Sequence, residues 1–193
     1  MSGPDDNARL CEAAMAQVES RDPASGIHTL SQLSTQGYVP AQVLLGWVFQ
    51  YGRGVKASEE EARRWYSSAA EAGDRVGQYY LGALLVDTGY VSEGVEWISR
   101  SAELGYAPGL YRMGMFYIRG VGVKHDLALG GELMRRAAER GHVFAQRWMA
   151  GQRLRGSEGI VGIMKGITWF LRTPAIAIRA TSDSPPDRNL YQS

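Results

Sequence analysis

The amino-acid sequence predicts an all-α chain built from repeated helix pairs. Two observations carry this: a self-similar unit recurring every 36 or 32 residues, and apolar residues at helical spacing between turn signals. QYGRGVKASEEEARRWYSSAAEAGD, from Gln50, aligns with IRGVGVKHDLALGGELMRRAAERGH, from Ile118, through two Gly-rich turns and an Ala-Ala-Glu-x-Gly ending. The closing glycines are Gly37, Gly73, Gly105 and Gly141, separated by 36, 32 and 36 residues. Eleven residues before each stands a small residue: Gly26, Ala62, Gly94 and Gly130. The 32-residue unit lacks the four residues of the Gly-x-Gly-Val turn, a loss that falls in a loop, where length costs little.

In chain order, DDNARLCEAAMAQVES is expected to form a helix opened by Asp5 or Asp6, and after Asp22-Pro23 a second helix leads to Gly37. Residues 1–37 thus read as an N-terminal cap pair whose first helix fits the repeat register poorly. In the unit 38–73, Pro40 favours a first helical turn, and Ala41 to Gly52 repeat apolar residues at helical spacing. Gly52 and Gly54 break that helix. Ser58 with Glu61 makes a capping-box pattern for the next, and Gly73 supplies a left-handed terminator. Units 74–105 and 106–141 repeat the plan, with Asp126 in the capping position of the latter. Gly46, Gly82 and Gly114 lie mid-helix, where glycine costs about 1 kcal/mol relative to alanine, so close helix approach is expected as compensation.

These residues carry a family resemblance. Ala41, Leu45, Gly46, Phe49, Gly52, Gly54, Val55, Ala62, Trp65, Tyr66, Ala69, Ala70 and Gly73 make a pattern that resembles the Sel-one-like repeat, a relative of the tetratricopeptide repeats. The third unit keeps Gly114, Tyr117, Gly120, Gly122, Val123, Ala137, Ala138 and Gly141, with Met113 and Leu133 as variants. The resemblance implies a right-handed superhelical solenoid of antiparallel helix pairs that scaffolds protein or peptide partners and has no catalytic residues. It also implies that variable positions of the first helices face the concave side: Val43, Trp47 and Gln50, then Tyr79, Ala83 and Val86, then Tyr111, Met115 and Ile118. This aromatic and apolar ladder suits a peptide with apolar anchors; the alternative is that the same side chains pack between helices.

Shifting the first full repeat by 104 residues places Ala41 on Ala145, Gln42 on Gln146, Trp65 on Trp169 and Tyr66 on Phe170. Residues 142–173 therefore read as a truncated repeat ended by Pro174, and 174–193 as a tail that is partly disordered. Within GIVGIMKGITWFLRTPAIAIRA, residues 159–180, the longest uncharged run is six residues, against about 20 for a membrane span. At helical periodicity Ile160, Ile163, Met164, Ile167, Phe170 and Leu171 share an arc of about 120°. The matching residues of the first repeat include Glu59, Glu60, Arg63 and Ser67, so this outer face is more apolar than a terminal repeat requires. From Val143 to Ala180, Arg147, Arg153, Arg155, Lys165, Arg172 and Arg179 face only Glu158, a pattern of interfacial attachment. The expected docking face is Ile160, Ile163, Met164, Ile167 and Leu171 with Lys165 and Arg172. Its cover is the chain's own AIAIRA segment, a second copy in a homodimer, another protein, or an anionic membrane surface.

Composition excludes other classes. With 21 Lys and Arg against 20 Asp and Glu, the net charge is +1, too balanced to hold nucleic acid. One cysteine, Cys11, and an acidic opening, MSGPDDNARL, point to a cytoplasmic setting, with the inner face of a membrane as the variant. His28, His125 and His142 are scattered, so no metal site is expected. Gly52-Arg53-Gly54 and Gly120-Val121-Gly122 follow helices and lack the Gly-Lys-Ser/Thr ending of a phosphate loop. Glu59 to Glu61 suit a helix dipole rather than acid catalysis, and no nucleophile, base and orienting group assemble. The expectation is a cytoplasmic, bacterial, non-enzymatic adaptor without cofactor. The tail's Asn-Leu-Tyr-Gln stretch is a candidate short linear motif.

Overall fold

A computed structural model of the chain describes residues 4–20 and 22–154. Among these residues every regular element is a helix: α1 (Pro4–Val18), α2 (Pro23–Thr35), α3 (Val39–Tyr51), α4 (Glu59–Glu71), α5 (Arg75–Asp87), α6 (Val91–Glu103), α7 (Ala107–Arg119), α8 (Leu127–Glu139) and α9 (Val143–Leu154). From α2 to α8 each helix is 13 residues long and is followed by a glycine in the left-handed region.

The chemistry of this ending is visible at every closing glycine. Gly73, at φ 84°, donates its N–H to Ala70 O, and Asp74 donates to Ala69 O. The paired bonds satisfy two of the helix's orphan carbonyls in a Schellman motif. Gly37, Gly105 and Gly141 repeat the pattern with Tyr38, Tyr106 and His142 as the following residue. In the shortened unit Gly89 does the same for α5, with Tyr90 donating to Leu85 O, so the missing turn is replaced by a closing glycine of its own.

The longer turns have a different lock. Ser58 N–H donates to Phe49 O and Asp126 N–H to Tyr117 O, each at 2.9 Å, folding the Gly-x-Gly segment back on the preceding helix. Ser58 Oγ then accepts Glu61 N–H at 3.2 Å, and Asp126 Oδ1 accepts Leu129 N–H at 2.9 Å. Only half of the expected capping box forms at Ser58: its own N–H is already taken by Phe49, and the Glu61 carboxylate turns to Arg64 at 3.4 Å.

Contacts divide the chain into two compact units, the first ending at Leu84 within α5 and the second beginning at Leu85. In the first, α1 packs on α2, α2 on α3 and α3 on α4. The small residues sit at the closest approaches, since a Cβ on Gly26 would stand 2.3 Å from Ala14 O, and one on Gly46 would stand 2.6 Å from the Tyr66 ring. In the second unit α6, α7, α8 and α9 pack in succession around Ile98, Leu110, Met113, Met134 and Ala145. Gly114 and Gly130 meet backbone to backbone there, each Cβ position about 3 Å from the other's carbonyl oxygen. Two glutamines 104 residues apart make the same bond: Gln42 Nε2 donates to Ser34 O at 3.2 Å and Gln146 Nε2 to Ala138 O at 3.1 Å. Each adds a second donor to a carbonyl that the closing glycine's N–H already reaches, tying the first turn of one helix to the end of the preceding one.

Candidate protein-binding surfaces

In the first unit the expected ladder is mostly core. Val43 is 0% and Trp47 1% exposed, so these two pack between helices, the alternative reading of the ladder. The reason is that α3 touches α1, α2 and α4, so every residue from Ala41 to Val48 is buried. Trp47 lies against Tyr51 at 5.4 Å and under the Arg53 guanidinium at 5.3 Å. Gln50 is half-buried and accepts the Tyr66 hydroxyl at 2.9 Å. Burial, with Tyr80 and Tyr51 nearby, raises the Tyr66 phenol well above its ordinary pKa and keeps it a donor. Tyr66 stacks on Tyr80 at 5.3 Å, and Tyr80 meets Tyr79 edge-on at 5.4 Å. The path from the core to half-buried Tyr79 therefore runs through Tyr80. The expected ladder omitted it, although a Tyr-Tyr step on a helix puts the second ring only one step round the axis.

In the second unit Val86, Tyr111, Met115 and Ile118 are half-buried and pack against the core. Tyr111 stacks on the His142 imidazole at 4.3 Å and 22°, and Phe144, 38% exposed, lies 6.2 Å from Tyr111 and 6.0 Å from His142. His142 precedes α9 and accepts Ala145 N–H on Nδ1 at 3.3 Å, so it is the helix's N-cap as well as a stacking ring. Burial pushes its pKa from 6.5 down to about 4, and the imidazole is neutral at pH 7. The residues one step past Gly37 and Gly105 are Tyr38 and Tyr106, a sequence signal that position 142 also calls for a ring. Beside this cluster Arg112 pairs with Asp87 at 2.9 Å.

A second concavity opens between α6, α7 and α8. It has a volume of about 140 Å³, with Ala102, Met113, Leu129 and Leu133 as apolar lining and Glu103 and Arg136 among its polar groups. No expected site residue lies in it. On α8 outside it, Arg135 is held by Glu132 and Glu139, an exposed charge ladder along one helix face.

Among the described residues no three His, Cys, Asp or Glu side chains cluster as a metal site, and no helix is long and apolar enough to cross a membrane. The docking face of Ile160, Ile163, Met164, Lys165, Ile167, Leu171 and Arg172, and the tail, lie outside the described residues.

The Sel1 repeat matches residues 39–74, 75–106 and 107–142, one residue later than the boundaries set by the closing glycines. A protective antigen of uropathogenic Escherichia coli with an SLR fold is 26% identical, with a TM-score of 0.71 over 86% of this chain. This chain spans 37% of that antigen's length. A Sel1 repeat protein of Oxalobacter formigenes is 24% identical, with a TM-score of 0.72 over 88% of this chain and 74% of the other. A Pseudomonas aeruginosa protein is 20% identical, with a TM-score of 0.65 over 88% and 65% of the two chains. With three consecutive repeats filling more than half of its 193 residues, the chain belongs to the Sel1 repeat family.

Proposed function

We propose that the chain is a non-enzymatic adaptor that binds a protein or peptide partner at half-buried aromatic positions of its first-in-pair helices. Sel1-repeat proteins generally mediate protein–protein interaction, and the family is typically a non-enzymatic scaffold. The observation that supports this site is the cluster of Tyr111, His142 and Phe144, flanked on α7 by Met115 and Ile118. Rings already ordered by stacking lose little entropy on binding, and a partly exposed ring gains by being covered. In the first unit Tyr79 and Gln50 offer the corresponding positions.

Selection of peptides from a random display library against the full chain, followed by calorimetry, tests the reading. Phe144→Ala is expected to weaken selected peptides at least tenfold, about 1.4 kcal/mol, as for an aromatic anchor. Selected peptides that bind Phe144→Ala and Met115→Ala as tightly as the parent chain sink the proposal. A second reading rests on the charge imbalance between Val143 and Ala180: attachment of residues 159–172 to an anionic membrane surface, with the repeats recruiting a partner there.

A further inference from the structure

Two repeats carry tryptophan where the third carries leucine. Trp65 stands eight residues before Gly73, Trp97 eight before Gly105, and Leu133 eight before Gly141. Each tryptophan has an arginine over its ring: Arg64 lies 4.8 Å from the Trp65 centroid and Arg100 4.5 Å from that of Trp97. Trp65 is 9% exposed, so its repeat is filled. Arg136 occupies in the third repeat the position of Arg100 in the second, but the residue three places earlier is Leu133. In the first repeat the arginine precedes its tryptophan, and Ser68 stands at the Arg100 position. The second repeat's pair of Trp97 and Arg100 is therefore the one that Leu133 and Arg136 match. Where its indole would stand there is instead the cleft of about 140 Å³, lined by both Leu133 and Arg136.

We infer that this cleft is a socket for a tryptophan side chain carried by a protein partner, which supplies from outside the ring that the third repeat lacks. An apolar cavity of about 150 Å³ holds benzene, so the cleft takes the six-membered ring of an indole with the rest at its open mouth. Arg136 provides a cation for the ring face, as Arg100 does for Trp97. A buried indole N–H needs an acceptor, and the Glu103 carboxylate, which already accepts Ser99 Oγ at 3.2 Å, is in the lining. Leu129, 40% exposed on the first turn of α8, keeps the apolar lining open to solvent beyond the Leu133 floor. An anchor ring in a pocket edged by polar groups is the arrangement that concentrates binding energy in one residue. The inference rests on the adaptor reading for its biological sense, yet it concerns a different face from the Tyr111 cluster.

The test is a titration of the ¹⁵N-labelled full chain with N-acetyl-L-tryptophanamide, with N-acetyl-L-leucinamide as comparator. Saturable shifts are expected at Ala102, Met113, Leu129 and Leu133, with a Kd on the order of 1 mM for a single side chain. Arg136→Gln, a change at the edge of the cleft that leaves the core intact, should weaken the tryptophan derivative by about 2- to 5-fold. Leu133→Trp should raise the melting temperature and abolish the shifts. The inference is overturned by an absence of saturable shifts, by equal shifts from the leucine derivative, by shifts centred on Tyr111 and Phe144, or by binding unchanged in both variants. Those failures leave the adaptor itself to be decided separately, by the Phe144→Ala peptide experiment.

Discussion

Acidification should loosen the second unit through His142. Its imidazole is stacked on Tyr111, caps α9 through Nδ1 and is held neutral by burial, with a pKa of about 4 against an ordinary 6.5. Between those values the unfolded chain takes up a proton that the folded chain refuses. Stability is therefore intact above pH 6.5 and falls as the pH drops toward 4, below which the loss is complete. At pH 5 the linkage amounts to about 2 kcal/mol at face value, and to about 1 kcal/mol once the half-exposed ring is discounted for solvent screening. In a chain of this size that lowers the melting temperature by roughly 2–4 °C relative to pH 7.5. His142→Asn keeps a capping side chain without the titration, so the difference between parent and variant across pH isolates the effect from carboxylates elsewhere. Thermal unfolding followed by circular dichroism measures it, and ¹⁵N chemical shifts of the imidazole give the midpoint directly. A midpoint between 6 and 7, or a pH dependence identical in His142→Asn, would show that the ring is not held neutral by its surroundings.

Four further outcomes can be measured. Gly26→Ala improves helix propensity by about 1 kcal/mol but drives a Cβ to 2.3 Å from Ala14 O, and overpacking against backbone costs about 3 kcal/mol, so a net loss of about 2 kcal/mol is expected. A variant that melts higher than the parent would show that α1 is not held this closely. Gly73→Ala meets nothing within 4 Å and should cost only the left-handed backbone term, about 1–2 kcal/mol; a larger drop in thermal unfolding would contradict the open space there. Cys11 is buried between α1 and its neighbours, and burial, with Glu12 adding to it, pushes its thiol up to about 12. Its reaction with a disulfide reagent at pH 8 should be about a thousandfold slower in the native chain than in denaturant, and equal rates would contradict that burial. For residues 159–172, sedimentation with anionic vesicles compares the parent with Ile163→Glu plus Ile167→Glu; a membrane-surface site requires that the parent pellets and the folded double variant does not.

The repeat was readable from local chemistry. Gly37, Gly73, Gly105 and Gly141 close helices because a left-handed residue and two backbone bonds suffice, and neither depends on distant parts of the chain. The Ser58 and Asp126 caps were equally legible, although the carbonyl of Phe49 claims the Ser58 N–H that a full capping box needs. Gly89 was missed as a helix end because it stands outside the 36-residue register. The candidate site was less legible. The positions Val43 and Trp47 look the same on a helical wheel as Tyr111 and Met115, yet the former are enclosed by α1, α2 and α4 and the latter remain half-open.

Residue spacing alone was enough to place the repeated helices, the closing glycines Gly37, Gly73, Gly105 and Gly141, and two glycines of close approach, Gly46 and Gly114, since each is set by backbone conformation within one unit. Packing in three dimensions settled the rest: which rings are covered, that His142 is a neutral cap stacked on Tyr111, and that Leu133 leaves a cleft beside Arg136. Burial and ring contact are properties of what a helix packs against. Its neighbours lie up to one repeat away, where the pattern of a single helix carries no record of them.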